Sequence, residues 1–344
     1  MTAYLRPLRL ADADDLAMAC NDPEIRRFLP FLARPYTRED ALDHIRSAGG
    51  AQLAIAEEGT DRLLGELDLL QDGRGSAEVG YWVAPWARRQ GVATAAVRQV
   101  AERGIDRLVL YTRPDNAASQ RVAIAAGFTR EGIARGGGRN PDGSRYDRIV
   151  WARLAGDPPG PSRRLIPDLP EGRLTDGVVT LRPIGVGDVD DLAALTGLPE
   201  VYLHSVPPEP PPREKLLVRT AQAESRWLAG QHATMVIEDA ATGAWAGEVG
   251  VMYLEPMTQQ AMIGYSLMPQ WRGQGYASRS VRLVVAWAVP ALGLVRVVAG
   301  VEPDNVASQR VLEATGFTRE SYEKRRLPGP DGTRIDNVQY VKLL

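Results

Sequence analysis

The chain has a single cysteine, Cys20, which excludes any internal disulfide and fits a reducing, cytoplasmic setting. Lysine is nearly absent: Lys215, Lys324 and Lys342 are the only three, so the 41 basic residues are almost all arginine. With abundant alanine, glycine and proline, that usage is the compositional mark of a high-GC bacterial genome. The basic and acidic residues nearly balance at a net charge of -2, which leaves no electrostatic case for a nucleic-acid partner. No apolar run approaches the length of a bilayer span, and the N-terminus runs into Leu5-Arg6-Pro7 without the apolar segment of a signal peptide. No membrane partner is expected. The three histidines, His44, His204 and His232, form no metal-ligand spacing with one another or with Cys20, so no metal is expected. At 344 residues, 44% hydrophobic and 24% charged, the chain is long enough for two ordinary globular domains.

What is present is a repeat. Leu5-Arg6-Pro7 matches Leu181-Arg182-Pro183, and the Asp12 to Leu16 segment matches Asp188 to Leu192. Gly65-Glu66 matches Gly247-Glu248, Gly80-Tyr81 matches Gly264-Tyr265, and Pro141-Asp142-Gly143 matches Pro330-Asp331-Gly332. A period this long is a duplicated domain rather than a solenoid unit. The boundaries follow from composition: residues 1–155 form the first domain, 156–175 a Pro/Gly-rich linker, and 176–344 the second domain. Asp12 and Asp188 are expected as helix N-caps. Strands are expected at Glu78–Val83 and Met262–Leu267, each running into an Arg/Gly loop and a helix, then strands at Leu108–Thr112 and Arg296–Val301 and helices over 116–126 and 305–315. The fold class is α+β, a mixed α/β arrangement with one central sheet per domain flanked by helices.

The two loops carry the chemistry. Arg88-Arg89-Gln90-Gly91-Val92-Ala93 and Arg272-Gly273-Gln274-Gly275-Tyr276-Ala277 each place a glycine and a small residue where a strand turns into a helix. Glycine there lets the backbone approach a ligand closely, and the helix N-terminus directs free N–H groups and partial positive charge at it. The arginines add cations. Together these suit a diphosphate without a lysine or a metal. One such turn alone is weak evidence. Two in the same context are much stronger, each followed by Asn-x-x-Ser (Asn116 to Ser119, Asn305 to Ser308) and Gly-Phe (Gly127-Phe128, Gly316-Phe317).

Glu78 through Pro85, the loop, Asn116-x-x-Ser119 and Gly127-Phe128 together resemble the GNAT acetyltransferase superfamily. More narrowly they resemble its RimJ/RimL branch, whose members acetylate protein N-termini. The second half resembles it equally from Ile263-Gly264-Tyr265 to Phe317, and the first also through Asn21-Asp22-Pro23-Glu24. The resemblance implies two tandem GNAT-like domains. It implies acetyl-CoA, or another acyl-CoA, bound in a V-shaped opening beside the strand that precedes each loop. Arg88, Arg89, Gln90, Gly91, Val92, Ala93 and Thr94 would hold the pyrophosphate in the first domain. Arg272, Gly273, Gln274, Gly275, Tyr276, Ala277 and Ser278 would do so in the second. Backbone N–H groups near Val83 and Leu267 would face the thioester carbonyl. Asn116 and Asn305 would contact the pantetheine arm or order the site, and Ser119 and Ser308 would lie near the departing thiolate. The family's usual tyrosine proton donor is absent, with Ala123 and Leu312 in its place.

Direct attack of an amine needs a proton acceptor. Glu78 stands at the strand position where many family members carry a carboxylate. The second domain has Met262 there, with Glu248 (matched by Glu66) and Glu255 as the nearest alternatives. The plainer readings weigh against these roles: Glu78 as an exposed strand residue, Ser119 and Ser308 as first-turn caps, the three histidines and Cys20 as structural. The two copies are also unequal, because the stretch from Gly91 to Asn116 is shorter than that from Gly275 to Asn305 by more than a helical turn. The sequence therefore implies an N-acetyltransferase whose acceptor is a protein N-terminus or a small amine such as an amino sugar. The chain would act as a monomeric pseudo-dimer or a homodimer. The rival is an acyl-CoA sensor or scaffold in which one or both domains do not catalyse.

Overall fold

The structure, a computed structural model, describes residues 2–344 and divides into two compact units, Met1–Arg163 and Arg164–Leu344. In the first unit the order is β1 (Ala3–Pro7), α1 (Ala13–Cys20), α2 (Pro23–Phe28), α3 (Arg38–Ser47), β2 (Gln52–Glu57), β3 (Leu63–Gln71), β4 (Ser76–Val83), α4 (Val92–Ala101), β5 (Arg107–Thr112), α5 (Ala117–Ala125), β6 (Thr129–Arg139) and β7 (Arg145–Leu154). The strands form a 7-stranded sheet in the order β1-β2-β3-β4-β5-β7-β6. Helices α1 and α3 cover one face through Ala13, Leu16, Cys20, Ala41 and Ile45, packed with Ala54, Leu63 and Trp82 of the sheet. The apolar stripe of α4 (Val92, Ala96, Val97, Val100) is buried on the other face, at the 3.6-residue spacing that makes one side of a helix apolar.

The second unit repeats this plan. Its elements are β8 (Leu174–Thr175), β9 (Val179–Pro183), α6 (Val189–Thr196), α7 (Pro199–Tyr202), α8 (Arg213–Ala221), α9 (Ala223–Leu228), β10 (His232–Asp239), β11 (Trp245–Glu255), β12 (Gln260–Leu267), α10 (Tyr276–Leu292), β13 (Arg296–Val301), α11 (Val306–Ala314), β14 (Thr318–Pro328) and β15 (Arg334–Leu343). They build an 8-stranded sheet, β14-β15-β13-β12-β11-β10-β9-β8.

Each sheet is antiparallel except at one seam. β4 pairs parallel with β5 through Ser76↔Arg107, Ala77↔Leu108 and Glu78↔Val109, and there the pairing ends. β12 pairs with β13 through Gln260↔Arg296, Ala261↔Val297 and Met262↔Val298, and likewise ends. β4 stays paired with β3 out to Val83, and β12 with β11 out to Leu267. Each sheet is therefore split open beyond Glu78 and Met262, which are equivalent positions.

Two expectations are corrected. Asp12 and Asp188 make no side-chain cap on the helices that follow them. Instead, Asp12 accepts from both terminal nitrogens of Arg6, at 2.8 and 2.7 Å, and from the Arg9 backbone N–H, with the pair almost wholly buried. Asp188 does the same for Arg182 and for the Gly185 N–H. The Leu-Arg-Pro and Asp signatures of the repeat are thus two halves of one clamp, because a buried guanidinium needs a paired acceptor. The segment 156–175 is also not linker throughout. Ile166 and Leu169 are buried in the second unit's core, the Trp227 indole donates to the Pro167 carbonyl at 2.9 Å, and Leu174–Thr175 is already a strand.

Candidate active sites

Each glycine of the loop motif is the N-cap of the next helix in a left-handed conformation, Gly91 at φ 77° and Gly275 at φ 83°. Only glycine adopts this without strain. A side chain built on either would meet nothing within 4 Å, so the space before each helix is open. The first helical N–H groups face that space, since the first intrahelical bonds arrive only at Ala95 and Arg279, which donate to the Gly91 and Gly275 carbonyls. The loop position two residues earlier is left-handed as well: Arg89 at φ 59° in one unit, Gly273 at φ 71° in the other.

The remaining loop residues divide by role. Arg88 is held by Asp22 and by Glu24, the latter at 2.9 Å, both at the start of α2. Arg272 donates to the Leu267 carbonyl at 3.0 Å and pairs with Glu200 of α7 at 3.1 Å. The first arginine of each motif therefore fastens its loop to the short helix facing it. Arg89, Gln90, Gly273 and Gln274 are exposed, with both glutamine amides turned back onto loop carbonyls. Val92 and Ala277 are buried, Ala93, Thr94 and Ser278 half-buried. Tyr276 packs its ring against Trp271 and bonds Asp239, so it offers the site only its backbone N–H.

Strand alternation decides which backbone groups line the openings. The Ala84 N–H donates to Leu64 across β3 at 2.8 Å, and the Met268 N–H to Ala246 across β11 at 2.9 Å. The intervening residues point their N–H groups the other way. Val79 and Ile263 spend theirs on the last parallel pair of the seam, and Tyr81 and Val83, and Tyr265 and Leu267, thus present theirs to the gap.

A hydroxyl pair spans each opening. The Tyr81 hydroxyl lies 2.9 Å from Ser119 Oγ, and the Tyr265 hydroxyl 2.9 Å from Ser308 Oγ. Asn116 and Asn305 cap α5 and α11 by accepting from the Ser119 and Ser308 N–H groups at 3.1 Å, which fixes both serines in the first turn. Burial raises both phenols, Tyr265 to about 12, so each keeps its proton at neutral pH. Sequence reasoning matched Gly80-Tyr81 to Gly264-Tyr265 but assigned the tyrosines no role. The signal was their recurrence together with the Asn-x-x-Ser. Ala123 and Leu312 are core residues.

On the opposite face, past the seam, the units diverge. Glu78 is ion-paired to Arg148 of β7 at 2.9 Å with its side chain 41% exposed, and Arg148 stacks on Tyr111. Glu66 is buried and bonded to His44 of α3 at 2.7 Å, which raises the imidazole's affinity for a proton. Asp68, facing Gly80 across the strands, is lifted to about 6, first by burial and then by the neighbouring Glu66 charge. In the second unit the matching positions are Met262, Glu248 tied to Arg219, and Gly250. His232 stands over Gly250, where burial and the charges of Arg219 and Arg226 push it down to about 4. Glu255 ends β11 in a turn, bonded to Thr258.

A mixed sheet that opens at its one parallel seam, beside a glycine-capped helix N-terminus, is present in both units. The chain matches the family model "Acetyltransferase (GNAT) domain" over residues 3–129 and again over 179–318, and it belongs to that family. Among relatives, the probable N-acetyltransferase YjcK of Bacillus subtilis is 44% identical over 69 residues, 20% of this chain and 38% of the relative. The uncharacterized N-acetyltransferase YoaA of the same organism is 36% identical over 104 residues, 30% of this chain and 58% of the relative. The chain thus covers less than two thirds of either. The solved structure of RimL, the ribosomal L7/L12 alpha-N-protein acetyltransferase in complex with coenzyme A, is 22% identical with a TM-score of 0.45, covering 48% of this chain and 94% of that one.

Proposed function

We propose that the chain is an acetyl-CoA-dependent N-acetyltransferase that moves acetyl to a primary amine by direct attack, and that it holds a cofactor loop in each unit. One observation carries the reading: in both units the parallel pairing stops after three residue pairs, beside a helix whose N-cap is a left-handed glycine. The loops fit a pyrophosphate, since a positive-φ glycine with open space before it leaves a cradle that a side chain would fill. In this reading the first-turn N–H groups from Val92 to Thr94 and from Tyr276 to Ser278 bind the pyrophosphate. Arg89 adds an exposed cation in the first unit, where the second has Gly273. The Val83 and Leu267 N–H groups, aimed into the gap, hold the acyl carbonyl and favour negative charge growing on it.

The bound cofactor supplies an acetyl thioester. Tyr81 with Ser119, and Tyr265 with Ser308, donate hydrogen bonds on the leaving-group side; a phenol backed by a serine is a better donor there than the serine alone. Tyr81→Phe is expected to lower kcat about 10-fold while leaving coenzyme A affinity unchanged, measured by thiol release and by calorimetry. An unaltered kcat removes the pair from the mechanism.

The RimJ/RimL-like motifs Asn21-Asp22-Pro23-Glu24 and Asn-x-x-Ser point to protein N-termini as one acceptor class, with small amines as the other. Thiol release from acetyl-CoA across a panel of peptides, polyamines and amino sugars tests the activity, and labelled acetyl-CoA in a bacterial lysate followed by mass spectrometry finds the acceptor. A second reading, that one unit binds acyl-CoA without turnover, is favoured for the second unit by Met262 and by the Arg219 partner of Glu248.

A further inference from the structure

Granting the transferase reading, we infer that Asp68 is the group that takes the proton from the attacking amine, and that transfer is confined to the first unit. Glu78, at the position the family pattern favours, is occupied: Arg148 neutralises it and its side chain leans into solvent. Asp68 is not occupied in this way; among the described residues it has no ion-pair partner. It lies on the face where the seam opens. Glu78 is the last residue of β4 in the parallel register with β5, and Gly80 is the next residue on that same face. Asp68 stands directly across from Gly80, with its carboxylate 3.7 Å from where a Gly80 side chain would begin. The missing side chain gives the carboxylate a clear line to the edge of the gap.

The groups packed around Asp68 come from every neighbouring element: Glu66 on its own strand, His44 from α3, Gln52 opposite it on β2, and Glu78 with Arg148 beyond the seam. His44 is bound to Glu66, so it steadies the acidic neighbour and does not neutralise Asp68 by direct contact. This leaves Asp68 a carboxylate that gains a proton near neutrality, the condition for an effective general base. In the second unit the equivalent position is Gly250, and the imidazole that fills the space, His232, is a weak base.

In the step, the amine nitrogen bonds to the acetyl carbon and the carbon–sulfur bond breaks with its electrons on sulfur. The proton lost by nitrogen goes to the Asp68 carboxylate and from there to water, while the thiolate draws a proton from solvent. The charges balance without any oxidant, reductant or metal.

The test uses the full chain with acetyl-CoA and its best amine, comparing wild type, Asp68→Asn and Asp68→Glu. Asp68→Asn is expected to lower kcat about 100-fold. It should also abolish the fall in kcat/KM on acidification through about pH 6, where wild-type Asp68 becomes protonated and inactive as a base. Coenzyme A affinity should not change, the melting temperature should hold or rise because the neutral amide escapes the burial penalty on the carboxylate, and Asp68→Glu should recover part of the rate. Asp68→Asn turnover within about 3-fold of wild type would overturn the assignment, whether because Glu78 serves instead or because the second unit turns over. No thiol release from any amine with the wild-type chain would bring down the transferase reading itself.

Discussion

Calorimetric titration of the chain with coenzyme A is expected to give two sites per chain, and Gly91→Val or Gly275→Val to abolish one each. Both glycines sit at φ near 80°, 77° and 83° respectively, where a β-branched side chain is strained. Holding a non-glycine residue there costs about 1–3 kcal/mol, so at least a 10-fold loss is expected where the helix start must keep its shape to bind. The added side chain would also project into the open space before the helix, which raises the effect to about 100-fold. The double variant should bind no measurable coenzyme A while remaining folded, with each unit's melting temperature lowered by about 2–12 °C from the strain. Unchanged stoichiometry in both single variants would remove the loops from the cofactor site. Loss at one position only would show that a single unit binds.

The second large effect concerns folding. Asp12→Ala strands the Arg6 guanidinium, whose side chain is 5% exposed and already held well above its ordinary pKa by that carboxylate. Breaking a buried pair from one side costs about 3–5 kcal/mol; the remaining contact of Arg6 with Asp61 argues for the lower end, about 3 kcal/mol. Asp188→Ala should cost only about 1 kcal/mol, because Arg182 is 36% exposed and keeps Glu238. Denaturant unfolding of the two variants measures the difference. Equal effects would mean that burial does not set the value of this clamp. Replacing both partners, Arg6→Met with Asp12→Leu, should recover much of the loss, since an apolar pair leaves no orphan charge.

The parts of the fold legible in the sequence were those with a local signature. A glycine between a strand and a helix specifies its own left-handed turn, and Asn-x-x-Ser specifies its own cap, so the loops and the helices at Ala117 and Val306 follow from a few adjacent residues. The acceptor face had no such signature. His44 and Glu66, Glu78 and Arg148, and Asp68 and Gly80 meet only because β3, β4, α3 and β7 assemble, and the longest of these pairs spans 70 residues of chain. The aspartates of the repeat misled for a related reason. Asp before a helix reads as a cap, and only burial of Arg6, several residues earlier, shows the stronger claim on it. The helix deficit was visible as a length difference, and the structure resolves it into 10 residues of α4 against 17 of α10, about 10 Å of helix.

Among the described residues, three parallel pairs are the only strand pairing between β1–β4 and β5–β7, and three pair the corresponding halves of the other sheet. Each sheet is two panels on a short hinge. The amides of Tyr81 and Val83, and of Tyr265 and Leu267, lie beyond the last parallel pair and have no strand partner across the gap, so their hydrogens should exchange quickly in the free chain. A pantetheine arm lying in the gap would act as a missing strand and slow that exchange residue by residue. Each panel pair would then close and stiffen together, and saturating coenzyme A would raise the unfolding temperature of whichever unit holds it.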